Sequence, residues 1–456
     1  MYVNSASYIN LQKNAQPIKL TISGKQPVNL LYGYSSLELA GLYNRVSFKA
    51  NNNPPETTQA VEFIQKNKVT NLFSLKEDSL EKIKYICKGI SVFENLERNP
   101  ALIKNGFITE EGLLTAKGLQ FITKNFDSIL LVRGCSNNCS HCGQSAVPPI
   151  SKMKWENYVE LVDGISELKK RLGFNPFAIK FNEANLDSAV YPFVDAEPFS
   201  YEESGHDIYD AAKLYYSKTG TKFIITTAGR SPRNIEKTEQ TIQKMLKDPN
   251  PIGIFGISIH SFHGIMQKSF ALKAQGKEKE AEEMRERYID MISKTIKASY
   301  GLRNKINKYG LILEYLCSSE TQYLHLGRKD SLKLLEDILK KLEKDGMDLS
   351  YFINKYNKHR LNINNLTHAE LRDIKLMGRA AQYNNETNTE KRNKRKYELF
   401  EFNYMPKMIA PDGQILVRPD AEISGELGEF ARIPFKLNFQ NPNIDRSLAL
   451  PEISWT

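Results

Sequence analysis

Beyond residue 150 the chain alternates between short apolar runs of strand length and longer segments with helical periodicity. In the first helical segment, Met153–Leu172, apolar residues recur at spacings of three and four, and Gly173 follows as a helix end. Further helices are predicted over Ile208–Tyr216, after Ser231-Pro232, over Lys277–Ser299 and over Ser331–Lys344. Strands are predicted at Ala189–Val194, Lys222–Thr227, Ile252–Ile259 and Leu311–Leu316. This alternation predicts an α/β fold in which right-handed helical crossovers join parallel strands.

The N-terminal part of the chain lacks this alternation. Residues 1–53 are polar and irregular, and helical patterns follow at Glu56–Gln65 and Leu75–Leu96. Both a small winged-helix module that recruits a macromolecule and a cap over one end of the core remain open for this part. We treat residues 1–125 as an N-terminal extension.

The C-terminal part again changes pattern. Thr367 and Glu370 form a capping box that predicts a helix reaching to about Tyr383. Asp412-Gly413 between two apolar runs predicts a β-hairpin. We therefore divide the remainder into a core, residues 126–345, and a C-terminal α+β annex, residues 346–456.

Three cysteines lie within eight residues, directly after an apolar strand predicted at Ser128–Arg133. They are Cys135, Cys139 and Cys142, with the spacing C-x3-C-x2-C. Three thiolates this close together can hold one soft metal centre. A zinc knuckle that takes His141 or a distant residue as its fourth ligand is one interpretation. An iron–sulfur cluster that keeps one iron open is the other.

This spacing after a strand resembles the radical S-adenosylmethionine (radical SAM) superfamily. The resemblance implies a partial (β/α)6 TIM-like barrel and a [4Fe–4S] cluster held by the three cysteines. It implies that the open iron binds S-adenosylmethionine, which is cleaved reductively to a 5′-deoxyadenosyl radical that abstracts hydrogen from a substrate. The residue before the last cysteine, usually an aromatic that packs on the adenine, is His141 here. An electron donor such as flavodoxin or ferredoxin is implied as a partner.

The same resemblance assigns cofactor contacts after the second strand. Ala196 and Glu197 lie in Asp195-Ala196-Glu197-Pro198, which resembles the family's Gly-Gly-Glu-Pro motif without its glycines. That motif holds the amino group of the cofactor. Glu183 competes for the role, but it leaves an unusually long gap before the third strand. Both glutamates have a simpler reading as surface carboxylates that cap the next helix.

Polar residues also mark the ends of the later strands. Thr226 and Thr227 end the third strand, where the family has hydroxyl or amide groups that bind the cofactor. Ser258 and His260 share one face of the fourth strand, opposite two isoleucines, and His260 is a candidate for cofactor contact or catalysis. Cys317 ends the fifth strand. A thiol there either serves the reaction, as hydrogen donor or substrate attachment point, or is buried and inert.

The composition of the chain limits the classes of protein to which it can belong. Hydrophobic residues make up 41% of the chain, the formal net charge is +10, and no apolar run is long enough to span a membrane. Five cysteines, three of them clustered, argue against a disulfide framework, and the N-terminus lacks a signal-peptide pattern, so we expect a cytoplasmic protein. No cysteine follows Cys317, so no auxiliary cluster is expected in the annex.

The substrate is not readable from these patterns; a peptide or a small molecule is favoured. A second function stays open, that of a zinc- or cluster-containing nucleic-acid-binding protein without radical chemistry. Its support is the mostly basic run Glu390–Lys396, for which a solvated charged loop is the favoured interpretation.

Overall fold

The computed structural model describes residues 54–135, 137, 139, 150–178, 189–190, 196–229, 235–306, 311–317, 328–353, 368–373, 399–417 and 430–441. Within these ranges the helices are α1 (Pro55–Lys66), α2 (Glu77–Lys82), α3 (Pro100–Lys104), α4 (Ala116–Thr123), α5 (Trp155–Leu172), α6 (Ile208–Thr219), α7 (Ile235–Lys247), α8 (Gly264–Ala274), α9 (Glu278–Ser299) and α10 (Arg328–Lys344). None of the helices described is long and apolar enough to cross a bilayer.

Within the described residues the strands form two larger sheets and two small sheets of two strands each. In chain order they are β1 (Phe126–Ile129), β2 (Val132–Arg133), β3 (Ser151–Lys152), β4 (Ala189–Val190), β5 (Glu202–Glu203), β6 (His206–Asp207), β7 (Lys222–Thr227), β8 (Ile252–Ile259), β9 (Leu311–Cys317), β10 (Ala369–Asp373), β11 (Lys407–Ile409), β12 (Gln414–Val417) and β13 (Ala431–Lys436). The fold is therefore a mixture of helices and sheets, as the alternating pattern predicts.

A five-stranded parallel sheet, in the order β10-β9-β8-β7-β4, positions the candidate site. Its central strand β8 is buried at all eight positions, which explains its nearly continuous apolar sequence. The register sets Thr226 beside Gly256 and Ser258 beside Glu314. Within the described residues the sheet is open, with β10 and β4 at its edges, and no barrel closes.

Two predicted helices end where their local sequence requires. Helix α5 stops at Gly173, whose φ of 78° is a left-handed conformation that favours glycine. Helix α6 begins at Asp207, where the side chains of Asp207 and Asp210 form a reciprocal capping box, and it ends at Gly220. Helix α6 packs against β7 of the parallel sheet, and α5 packs against α6.

The strand predicted at Ser128–Arg133 is in fact two strands with different partners. Strand β1 pairs in parallel with β11, and β2 pairs antiparallel with β3. Between them the Leu130 N–H donates to the Ile409 carbonyl at 2.8 Å, whereas the Leu131 carbonyl accepts the Met153 N–H at 2.9 Å. The backbone thus changes partner within two residues, which an apolar run does not reveal.

The helix predicted over Leu75–Leu96 is wrong for most of its length. Helix α2 ends at Lys82, and the chain then turns through residues with positive φ, Tyr85 at 59° and Gly89 at 83°. The Arg171 side chain of α5 donates to the Ile86 and Lys88 carbonyls of this turn at 3.3 and 2.6 Å. Long-range hydrogen bonds of this kind satisfy backbone groups that a helix would otherwise use.

The helix predicted to open at Thr367 is also wrong where the structure describes it. Residues Ala369–Asp373 form β10, parallel to β9. Pairing with β9 satisfies backbone groups at a sheet edge, and this tertiary gain outweighs the local helical preference. The remainder of that prediction, up to Tyr383, lies outside the described residues.

The predicted β-hairpin around Asp412-Gly413 is confirmed, and it belongs to a sheet that reaches back to the start of the core. Strands β11 and β12 are antiparallel, and Gly413 has a φ of 84°. The sheet order β1-β11-β12-β13 joins residues near 126 to the annex. The Phe121 ring lies 5.7 Å from the Phe435 ring, so one apolar core includes parts of the N-terminal extension and the annex.

Candidate cofactor site

The cysteine loop begins directly after β2, and its described residues bend back on themselves. The Asn137 N–H donates to Cys135 Sγ at 3.4 Å, and Cys139 Sγ lies 3.9 Å from the Asn137 carbonyl. Cys135 is half-buried and Cys139 is 8% exposed. Cys142 and His141 lie outside the described residues.

Glu197 lies beside this loop and is almost completely buried, at 7% exposure. It precedes the short 3-10 helix Pro198–Ser200 and caps it, because Oε1 accepts the Phe199 N–H at 3.5 Å. The same oxygen accepts the Thr227 hydroxyl at 2.6 Å. Oε2 accepts the Ala228 N–H at 3.2 Å and Asn137 Nδ2 at 3.4 Å. The carboxylate therefore joins the end of β7 to the cysteine loop.

The electrostatic state of Glu197 follows from two opposing effects. Burial, the larger effect, raises the pKa of Glu197 to about 7, while the hydrogen bonds from Thr227, Ala228, Phe199 and Asn137 act to lower it. Four neutral donors stabilise the ionised form without cancelling its charge. A carboxylate that is buried yet ionisable near neutral pH is suited to bind a cationic group.

The two threonines that end β7 have different neighbours, because adjacent strand residues face opposite sides of the sheet. Thr227 bonds to Glu197, whereas Thr226 lies on the side that faces Gly256 and Glu314. A Cβ on Gly256 would lie 2.8 Å from Thr226 Oγ1 and 3.4 Å from Glu314 Oε1. Glycine at this position allows the two polar side chains to converge over the central strand.

Ser258 extends this polar side of the sheet. Its hydroxyl donates to Glu314 Oε2 at 3.4 Å, and both side chains are buried. The alternation of apolar and polar residues predicted the face of Ser258, and the same reasoning on β9 identifies the face of Glu314. A single acidic residue in a strand forms no motif, so the sequence does not identify Glu314 as a site residue.

His260 follows β8 and is 1% exposed. Its backbone N–H donates to the Tyr288 hydroxyl oxygen at 3.1 Å, and its ring lies 6.1 Å from the ring of His263. Burial raises the pKa of Tyr288, and the hydrogen bond from the His260 N–H acts to lower it. The segment after β8 reaches the cysteine loop, because the Gly264 N–H donates to the Asn137 carbonyl at 3.2 Å. Sequence reasoning did not find the contact between His260 and Tyr288.

His263 is a second residue that the sequence did not single out. Burial lowers the pKa of His263 to about 4, so its imidazole is neutral at physiological pH. Its Nδ1 accepts the Ile265 N–H at 3.2 Å and caps α8. That bond places the proton on Nε2, and the role visible for His263 is to fix the start of α8.

The structure also describes Ala196 and two further cysteines, Cys317 and Cys87. Ala196 is half-buried immediately before Glu197. Cys317 ends β9, with its backbone paired to Asp373 of β10. Cys87 is fully buried, and burial raises the pKa of its thiol, so it behaves as an inert core residue. Glu183, the competitor of Glu197, lies outside the described residues.

Among the described residues, Cys135 and Cys139 bring two thiols to the loop beside Glu197, and Cys135 Sγ accepts an N–H hydrogen bond. Thiols are side chains that could serve as ligands of a soft metal. Within the described residues no group of three or more His, Cys, Asp or Glu side chains is assembled, and the third cysteine of the triplet lies beyond them. Comparisons with protein-family models, curated proteins and solved structures found no match.

Proposed function

We propose that this chain is a radical SAM enzyme in which Cys135, Cys139 and Cys142 hold a [4Fe–4S] cluster. The observation that supports this most is the position of Glu197. Its buried carboxylate accepts hydrogen bonds both from the cysteine loop and from the end of β7. An amino group bound at this carboxylate lies next to the loop that carries the thiolates, which is the arrangement that the resemblance requires.

If bound, a [4Fe–4S] cluster held by these cysteines would supply the electron for reductive cleavage of S-adenosylmethionine, the chemistry that starts hydrogen abstraction from a substrate. The chain's own residues bind and orient that cofactor. Glu197 would accept hydrogen bonds from its ammonium group. Beyond the carboxyl edge of the sheet, the hydroxyls of Thr226 and Ser258, which lie on the opposite face, would bind its ribose or carboxylate. Thr227 positions Glu197, because its hydroxyl donates a hydrogen bond to Glu197 Oε1 at 2.6 Å. By the resemblance, His141 would contact the adenine and the backbone of Ala196 would contact the amino group.

The parallel sheet supports the same assignment at the level of the fold. Ligands of open parallel sheets bind beyond the carboxyl ends of the strands, where Thr227 and Ser258 lie. We propose that β4, β7, β8, β9 and β10 belong to a partial (β/α)6 barrel, with flavodoxin or ferredoxin as electron donor and a peptide or small molecule as substrate. A cytoplasmic location accords with an oxygen-sensitive cluster.

The experiment is anaerobic reconstitution with iron and sulfide, followed by incubation with S-adenosylmethionine and dithionite. We expect broad absorption near about 400 nm and slow formation of 5′-deoxyadenosine and methionine, dependent on dithionite. Formation of S-adenosylhomocysteine alone would indicate polar methyl transfer and contradict the proposal. Tight stoichiometric zinc, with no cofactor cleavage, would favour the nucleic-acid-binding alternative.

A second comparison tests the position of the amino-group site. Glu197→Gln should weaken S-adenosylmethionine binding roughly ten- to a hundredfold with the iron content unchanged, because a charged acceptor is lost. Glu183→Gln is the matched control and should bind as the wild type does. The reverse result in equilibrium binding would assign the amino group to Glu183.

A further inference from the structure

Asn137 lies between two of the three clustered cysteines and makes contacts in three directions. Its backbone N–H donates to Cys135 Sγ at 3.4 Å, and its carbonyl accepts the N–H of Gly264, the first residue of α8, at 3.2 Å. Its side-chain Nδ2 donates to Glu197 Oε2 at 3.4 Å. The cysteine loop, the start of α8 and the buried carboxylate therefore meet at this residue.

We infer that Asn137 is a positioning residue that orients Glu197 toward the cofactor bound at the cysteine loop. The inference rests on the proposed function and adds a residue to it. Oε1 of Glu197 is held by Thr227 and by the backbone of Phe199, both outside the cysteine loop. Oε2 is shared between Ala228 and Asn137, and the Asn137 amide is the donor that comes from the loop itself.

A neutral amide suits this task better than a cationic side chain. A lysine or arginine at 3.4 Å would pair with the Glu197 carboxylate and compete with a cationic ligand for its charge. The amide fixes the direction of one carboxylate oxygen and leaves the negative charge to the ligand. The specific function of Asn137 is therefore to set the geometry of Glu197 while preserving its charge.

The backbone contacts of Asn137 allow the side chain to be tested separately. The bonds to Cys135 Sγ and Gly264 use main-chain atoms and persist when the side chain is shortened. Asn137→Ala therefore removes the tie to Glu197 and retains the other contacts of the loop. Asn137→Asp keeps the size of the side chain and replaces the donor by an acceptor.

The experiment is a double-mutant cycle on reconstituted full-length protein, with S-adenosylmethionine as the probe in anaerobic titration calorimetry. Asn137→Ala should weaken binding about five- to tenfold, and Asn137→Asp should weaken it at least as much. If Asn137 acts through Glu197, the Asn137→Ala/Glu197→Gln protein should bind within about twofold of Glu197→Gln alone. Iron content and the electron paramagnetic resonance spectrum of the reduced cluster should match the wild type in all variants.

Four outcomes would overturn the inference. Additive losses in the double variant would show that the two residues act independently. Loss of iron in both Asn137 variants would show that the side chain supports the cluster loop instead. Wild-type affinity in Asn137→Ala, in a preparation whose Glu197→Gln variant is weakened, would remove Asn137 and leave the proposed function intact. Absence of binding by the wild type would refute the proposed function, and the inference with it.

Asn250→Ala is the matched control. Asn250 is an exposed amide that bonds to Asp248 and precedes β8, at the end of the strand opposite Ser258. Its replacement should leave the affinity for S-adenosylmethionine unchanged.

Discussion

At the scale of single residues, the candidate site is defined by how buried polar groups are satisfied. Glu197 illustrates this best, since it is buried and still accepts four hydrogen bonds from the protein. Donors of this number lower the free-energy cost of its negative charge without removing that cost. Burial of Glu197 therefore costs folding stability in the protein without a ligand, and it places a negative charge beside the cysteine loop.

The burial of Glu197 predicts that the free energy of unfolding depends on pH. Burial raises the pKa of Glu197 from an ordinary value near 4.5 to about 7. Between these values the folded state holds a proton that the unfolded state has released, so the free energy of unfolding falls as pH rises through that window. The loss is fully present above pH 7 and is on the order of 3 kcal/mol.

Glu197→Gln should remove this dependence. Urea unfolding of cluster-free protein at pH 5 and pH 8 should show the variant gaining stability relative to the wild type as pH rises. The control is Glu202→Gln, because Lys237 lowers the pKa of the exposed Glu202 and keeps it ionised in both states over this range. An identical pH profile for Glu197→Gln and the wild type would show that Glu197 is not buried as described.

The resemblance of Asp195–Pro198 to the Gly-Gly-Glu-Pro motif made Glu197 a candidate, and strand alternation put Ser258 and His260 on one strand face. Sequence reasoning could not find Asn137 or Tyr288. Asn137 contacts Glu197 across 60 positions of sequence, and Tyr288 reaches His260 across 28. Contacts of this kind depend on how helices and loops pack, and no short motif records them.

At the scale of elements, predictability depended on whether local or distant partners set the structure. Strands β7 and β8 have the predicted bounds, since each is an apolar run enclosed by turn-forming residues. Helices α5 and α6 end at the expected glycines. Strand β10 was mistaken for a helix because its partner, β9, lies more than fifty residues earlier in the chain.

The side chain of Lys407 in β11 links two distant parts of the chain. It is fully buried, and its Nζ donates to the carbonyls of Lys124, Asn403 and Met405 at 3.1, 3.0 and 3.1 Å. These bonds tie the end of α4 to the annex, next to the pairing of β1 with β11. Burial lowers the pKa of Lys407 to about 7, and its amino group with three carbonyl acceptors is a link that no apolar side chain can replace.

Lys407→Met should therefore lower the free energy of unfolding by about 1–3 kcal/mol, because three partly buried carbonyls lose their donor. Urea unfolding measures this loss, and hydrogen exchange should increase in α4 and β11. Lys436→Met removes an exposed lysine of β13 in the same sheet, 4.0 Å from Asp412, and should change stability by less than about 0.5 kcal/mol. Equal stability of the two variants would contradict the linking role of Lys407.

At the scale of the whole molecule, a continuous apolar core connects the N-terminal extension, the parallel sheet and the annex. The chain brings the cysteine loop, Glu197 and the ends of β7 and β8 together on this framework. The sequence predicted the mixed helix and sheet architecture, since that depends on patterns repeated along the chain. It did not predict that β1 pairs with the annex, since that pairing joins residues about 280 positions apart.

If three cysteines hold one iron–sulfur centre, as we propose, each of them is required for iron binding. The iron content of cysteine variants measures this requirement. After anaerobic reconstitution, the wild type should hold about four irons per chain, as a [4Fe–4S] cluster requires. Replacement of Cys135, Cys139 or Cys142 by Ala should remove most of this iron, whereas Cys87→Ala and Cys317→Ala should retain it. Full iron content in Cys139→Ala would contradict the account.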